Sequence, residues 1–177
     1  ATITAPDATL SYTYDGSLVK SVTWSGAVTG AIGYTYNNDL RVTSATINNA
    51  NAVSYGYDAD GLLMSVSTPS AGATLTLTRS AQTGLVQTAA VSNASTAFTH
   101  SAFGELARRT DSYAGAPFLD ASYTRDAAGR ITQKTETSGA TTHTYDYAYD
   151  TAGRLVEVIK DGMLTASYTY DANGNRV

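Results

Sequence analysis

The sequence predicts an all-β protein made of antiparallel hairpins repeated end to end. Tyrosines recur in pairs at i and i+2, and eleven of the thirteen tyrosines sit at these paired positions, Tyr123 with Arg125 as its second member. Most pairs are followed by Asp or Asn and then Gly, the residues that start and finish tight turns. No stretch keeps a 3.6-residue apolar period, and β-branched residues and glycines are spread evenly. The best helical candidate, 119–128, is poor.

The unit is clearest in Tyr147-Ala148-Tyr149-Asp150-Thr151-Ala152-Gly153-Arg154-Leu155-Val156 and in its near copy Tyr168-Thr169-Tyr170-Asp171-Ala172-Asn173-Gly174-Asn175-Arg176-Val177. Side chains at i and i+2 share one face of a strand, so each Tyr pair presents two rings to the same side. The Asp carboxylate can accept from the backbone two residues on, and the Gly supplies a positive φ. Earlier copies are Tyr12-Thr13-Tyr14-Asp15-Gly16, Tyr34-Thr35-Tyr36-Asn37-Asn38-Asp39-Leu40 and Tyr55-Gly56-Tyr57-Asp58-Ala59-Asp60-Gly61. In the second, Asn and Asp replace Asp and Gly as turn formers. The fourth is degenerate, Leu75-Thr76-Leu77 with Gly84-Leu85. The fifth is Phe98-Thr99-His100 with Gly104, and the sixth Tyr123-Thr124-Arg125-Asp126-Ala127-Ala128-Gly129. Second aromatics or their substitutes fall at 14, 36, 57, 77, 100, 125, 149 and 170, in steps of 20–25 residues.

Between motifs a second turn is expected, at Ala71-Gly72, Ser138-Gly139 and Asp161-Gly162, the last being the strongest hairpin signal. Two strands per unit give about sixteen short strands across residues 1–177, a single array of about eight units. Such a strip twists and leaves an apolar face and two edges to be covered.

Composition removes several functions. With no Cys there are no disulfides, no thiolate metal site and no thiol catalysis. A net charge of −4 lacks the electrostatic footprint of a nucleic-acid binder. No apolar run reaches the ~20 residues of a membrane-spanning helix.

The pattern Tyr-x-Tyr-Asp-x-x-Gly-Arg-Leu resembles the YD repeat of the RHS family. That family includes bacterial polymorphic toxins, the B and C components of insecticidal toxin complexes, and the teneurins. The resemblance covers nearly the whole chain and is best at Tyr123–Ile131, Tyr147–Val156 and Tyr168–Val177. It implies a curved, spiralling β-strip, part of a shell that encloses a toxic domain or supports adhesion domains. It also implies a secreted or cell-surface bacterial location. Its partners are then further repeats of the same chain, other copies of it, or an enclosed toxin domain. The Asp-Pro-x-Gly-Leu motif that ends toxin-type shells is absent, and eight units are few for a closed shell, so a fragment of a longer shell is expected.

Each residue class has a plain reading beside a functional one. The aromatics Tyr12, Tyr14, Tyr34, Tyr36, Tyr55, Tyr57, Tyr123, Tyr147, Tyr149, Tyr168 and Tyr170 form a packed ladder or, alternatively, a glycan-binding row. Asp15, Asp58, Asp126, Asp150 and Asp171, with Gly61, Gly129, Gly153 and Gly174, are turn formers. Asp58-Ala59-Asp60-Gly61 and Asp171-Ala172-Asn173-Gly174-Asn175 lack the ligands a calcium loop needs, so no metal or cofactor is assigned. Arg130, Arg154 and Arg176 stack on a neighbouring Tyr or pair with a turn Asp. Trp24 is expected to cap an end of the sheet. His100 fills an aromatic slot, and His143 stands in no catalytic motif. The reading is therefore a non-catalytic scaffold, with an extracellular carbohydrate-binding or adhesion module as the alternative.

Overall fold

The computed structural model describes residues 1–68 and 72–177 and contains strands and turns throughout. Among the described residues sixteen strands stand in the sheet in the order of the chain. Two compact units are present, Ala1–Arg79 with Ala89–Ser92, and Ser80–Thr88 with Asn93–Val177. The first contains β1 (Thr2–Ala5), β2 (Ala8–Asp15), β3 (Leu18–Gly26), β4 (Gly30–Tyr36), β5 (Val42–Ile47), β6 (Asn51–Tyr57), β7 (Leu63–Thr68) and β8 (Ala73–Arg79). Strand β9 (Val86–Val91) contributes residues to both units. The second contains β10 (Ala94–His100), β11 (Leu106–Tyr113), β12 (Ala116–Arg125), β13 (Ile131–Ser138), β14 (Thr141–Tyr149), β15 (Leu155–Lys160) and β16 (Met163–Ser167). The stretch 119–128 belongs to β12 and the turn after it, because Leu119, Ala121 and Tyr123 line one face of the pleat at a period of two and nothing supplies a helical stripe.

Burial is that of a single layer. Among the described residues only Ala121, at 4% exposure, and Asp111, at 5%, are buried. Cross-strand contacts within each face therefore replace a conventional core. In the first unit one face joins Leu10 to Trp24, Tyr12 to Val22, Val22 to Ile32, Tyr34 to Ala45 and Tyr55 to Val66. The other face is small and hydroxylated, joining Thr13 to Ser21, Thr35 to Ser44 and Ser54 to Ser67. Hydroxyls there bond in pairs, Thr13 to Ser21 at 2.6 Å and Thr35 to Thr43 at 2.8 Å. Trp24 lies across Gly30 on the neighbouring strand, where even a Cβ would collide with its indole. It covers a strand partner rather than a sheet end.

The pairing slips by one residue just before Tyr14, Tyr36, Tyr57, His100, Arg125 and Tyr149. Each slip is a β-bulge whose extra residue lies on the following strand (Lys20, Thr43, Met64, Ala107, Thr132 or Val156), where it bends and twists that strand. Turns at the opposite strand ends are tight. Asn48 and Asn49, Ala114 and Gly115, and Asp161 and Gly162 all take positive φ, between 49° and 80°. Successive positive φ values match the right-handed twist of the flanking strands, in two-residue hairpins at Ala114-Gly115 and Asp161-Gly162 and in a three-residue one at 48–50. Gly139 bends between β13 and β14 at φ 58°. Of the Ala71-Gly72 turn, Ala71 lies outside the described residues.

The second motif departs from expectation. Leu40, not Asp39, takes the turn-glycine position: its amide donates to Asn37 O at 3.0 Å, and its φ is 63°. An L-residue in the left-handed region costs ~1–2 kcal/mol, and this side chain is 63% exposed, so little packing offsets that cost. Glycine's extra unfolded-state freedom takes back ~0.5–1 kcal/mol. Leu40→Gly is expected to stabilise the protein by about 0.5–1 kcal/mol, read as a higher urea midpoint. A lower midpoint would show that Leu40 contacts outweigh its backbone strain.

Candidate functional site

The repeated site is a rung that ties one turn to the next motif. In the turn after Tyr149, Asp150 N donates to Arg154 O and Gly153 N to Asp150 O, both at 2.9 Å. The Asp150 carboxylate accepts Ala152 N at 3.0 Å and Arg154 N at 2.9 Å on one oxygen, and Arg154 Nε at 2.8 Å on the other. Asp126 does the same for Ala128 and Arg130, and Asp171 for Asn173 and Asn175. Asp58 caps Asp60 and Leu62, and Asn37 caps Asp39 and Arg41. These bonds hold the carboxyls of Asp126, Asp150 and Asp171 below the usual range: chiefly the Arg130 side chain for the first, the Arg154 amide for the second and the Asn175 side chain for the third.

The arginine at the end of the turn, paired with the turn-opening Asp at Arg130 and Arg154 and with Asp39 at Arg41, then covers a ring of the next motif. Arg130 stands 4.8 Å from the centre of the Tyr149 ring, Arg154 4.5 Å from Tyr170, and Arg41 5.9 Å from Tyr57. Beyond each guanidinium sits the glycine of the next turn: Gly153 at Arg130, Gly174 at Arg154 and Gly61 at Arg41. A side chain at Gly61 would overlap the Arg41 guanidinium. Position and positive φ both demand glycine there.

The covered tyrosine completes the rung through its hydroxyl. Tyr36 donates to Val19 O at 2.7 Å, Tyr57 to Val42 O at 2.8 Å, Tyr149 to Ile131 O at 2.8 Å and Tyr170 to Leu155 O at 2.7 Å. The first tyrosine of each pair packs across the sheet, with Tyr55 opposite Val66 and Tyr147 opposite Val158. In the opening motif the Tyr12 and Tyr14 rings stack at 6.4 Å. Arg176 lies 5.3 Å from Tyr168.

Degenerate motifs keep the rung by other chemistry. Arg79 Nε donates to Leu63 O at 3.2 Å, and Ser80 N to Leu85 O at 2.9 Å. Arg79, two residues beyond Leu77, therefore holds the second-aromatic place of the fourth unit. With 79 in the series the first steps become 22, 21, 22 and 21, more even than before. In the fifth unit Ser101 replaces the turn Asp and accepts Phe103 N and Glu105 N. In the sixth, Arg125 replaces Tyr and donates to Leu106 O at 2.8 Å, while Glu105 stands where other turns carry Arg. The two lie 3.6 Å apart, so an exchange of charge preserves the contact.

A second cluster escapes a reading by motif. Buried Asp111 accepts from Thr96 Oγ1 at 2.8 Å and Arg109 Nε at 2.9 Å. On the other face Asp120 accepts from Thr110 Oγ1 at 2.7 Å and Arg108 Nε at 2.9 Å. His143 Nδ1 lies 2.6 Å from Asp161 Oδ2, and the other Asp161 oxygen accepts Thr144 N. Glu136 is directly opposite His143, and Lys134 and Lys160 flank the Tyr145 ring at 4.3 and 5.5 Å. A turn carboxylate thus orients the imidazole, with no nucleophile bonded to it among the described residues.

A family profile described as teneurin YD-shell matches residues 2–177. No curated protein sequence matches the chain significantly. Among solved structures it is similar to the TcdB2-TccC3-Cdc42 complex, with TM-score 0.76 and 13% identity over 95% of this chain and 10% of that one. A TcdB2-TccC3 structure gives 0.75 and 12% over 94% and 10%. The Photorhabdus luminescens Tc holotoxin pore gives 0.68 and 13% over 96% and 9%. The chain spans about a tenth of these relatives, and at such identity they report its fold alone. With residues 2–177 matched by one profile and its rungs repeated turn by turn, the chain belongs to the teneurin YD-shell family.

Proposed function

We propose that the chain is a non-catalytic wall segment of a YD-repeat β-shell, a single array that encloses or displays other domains. The observation that carries this is the rung: the motif's carboxylates, guanidiniums and tyrosine hydroxyls are engaged by their own turn or by a neighbouring repeat. Asp150 and Arg154 serve their own turn and the Tyr170 ring, and the Tyr170 hydroxyl serves a backbone carbonyl. A wall needs this continuity and gains nothing from a free nucleophile. The same bonds weigh against tyrosine rows that bind glycans, since the hydroxyls of Tyr36, Tyr57 and Tyr149 are engaged and their rings half-buried. The family and the toxin-complex likeness support a secreted or cell-surface setting, with further repeats or an enclosed domain as partners.

The test is the structure of the polypeptide expressed with whatever its gene places on either side. Further YD strands are expected against β1 and beyond β16. A free-standing module whose tyrosine face binds oligosaccharide would overturn the wall.

A further inference from the structure

Every complete rung holds one half-buried cation. A guanidinium is held by the carboxylate of its own turn and covered by a tyrosine of the next motif, as with Asp126, Arg130 and Tyr149, or Asp150, Arg154 and Tyr170. The opening rung has the two outer parts without the middle one. Tyr36 donates to Val19 O just as Tyr170 donates to Leu155 O, which makes Leu18 the counterpart of Arg154 and Asp15 the counterpart of Asp150. The first turn is a residue shorter, and among the described residues Asp15 has no ion pair and no cation lies over Tyr36. In place of the guanidinium is an open groove of about 470 Å³ lined by Asp15, Leu18, Lys20, Tyr34, Tyr36 and Leu40.

We propose that this groove is a binding site for an arginine side chain of a partner polypeptide. The protein supplies the template for the ligand, since its own arginines occupy the equivalent place at three other rungs. A flat, weakly hydrated guanidinium can bond a carboxylate edge-on while its face lies on a ring; a compact ammonium does only one of these well. The groove opens to solvent, so an arginine can enter with its main chain left outside. Exposed Lys20 on the rim opposes the incoming charge and tunes the affinity.

The probe is N-acetylarginine amide, titrated into the whole chain while the Tyr36 ring resonances are followed by NMR, with N-acetyllysine amide as control. Saturable, millimolar binding of the arginine probe is expected, several-fold tighter than that of the lysine probe. Asp15→Asn should weaken it about fivefold. Lys20→Ala should tighten it. Leu18→Arg should abolish it, because the chain then fills its own groove. Arg154→Ala vacates a rung of the same design, so that variant should acquire a second site, reported by Tyr170. Equal binding of the two probes, indifference to Asp15→Asn, or failure of the probe at both Tyr36 and the vacated Tyr170 rung would each overturn the assignment. Ethylguanidinium binding as tightly as the blocked arginine would assign the groove to small cations and exclude the partner.

Discussion

Asp111→Ala is expected to destabilise the protein by about 2–3 kcal/mol, the largest loss from any one side chain. Asp111 is 5% exposed in a sheet that, among the described residues, buries only Ala121 besides, and its two oxygens meet three donor groups. Arg109 Nη2 approaches Asp111 Oδ2 at 2.7 Å, and that hydrogen-bonded guanidinium holds the carboxyl below its ordinary range. Truncation strands the Thr96 hydroxyl and the inner edge of the guanidinium. Removing one partner of a buried pair costs ~3–5 kcal/mol, but Arg109 is 47% exposed and water can take over part of its solvation, which lowers the figure. Equilibrium urea unfolding checks the value, with Asp111→Asn losing less because an amide oxygen still accepts. A loss below about 0.5 kcal/mol would mean that water already shares the site.

What could be read from the sequence was the local part. Asp150, Gly153 and Arg154 lie within one turn, so their spacing states their geometry, and alternation places Tyr147 and Tyr149 on one face. Where alternation is the only guide, register drifts by two residues. Leu75 and Leu77 mimic a Tyr pair, and only the Leu63 carbonyl on the neighbouring strand shows that Arg79 is the true counterpart. Leu40 misleads for the opposite reason. No composition rule puts a leucine at positive φ, so the polar Asp39 beside it looks like the turn former. The arginine rungs could be read as two alternatives, stacking on Tyr or pairing with Asp, and the structure makes both at once. The rows Glu136 with His143 and Lys134 with Tyr145 and Lys160 depend on strand register, which no local motif encodes.

The second large effect is collective and appears in acid. The carboxyls of Asp111, Asp120, Asp126, Asp150, Asp161, Asp171 and Glu136 are all held below their ordinary values. The leading causes are donated hydrogen bonds: from Thr110 to Asp120, from the Thr144 amide to Asp161, and from Lys134 to Glu136. A carboxyl depressed in the folded state binds fewer protons there than in the unfolded chain. Its contribution is therefore complete above the unfolded value, ~3.9 for Asp and ~4.3 for Glu, and is lost as pH falls through the folded value. Lys134 and Arg109 are shifted upward, so their contributions are complete at neutral pH and fade only in strong alkali. Unfolding free energy should thus be level from about pH 7 to 5 and fall steeply below about pH 4. Because Asp126 and Asp150 hold their turns through backbone amides as well as arginines, salt should blunt this fall only in part. The paired variant Asp126→Asn, Asp150→Asn should be less stable at neutral pH and show a shallower acid slope. Stability that stayed constant down to pH 3 would mean that the turn carboxylates do not hold the rungs together.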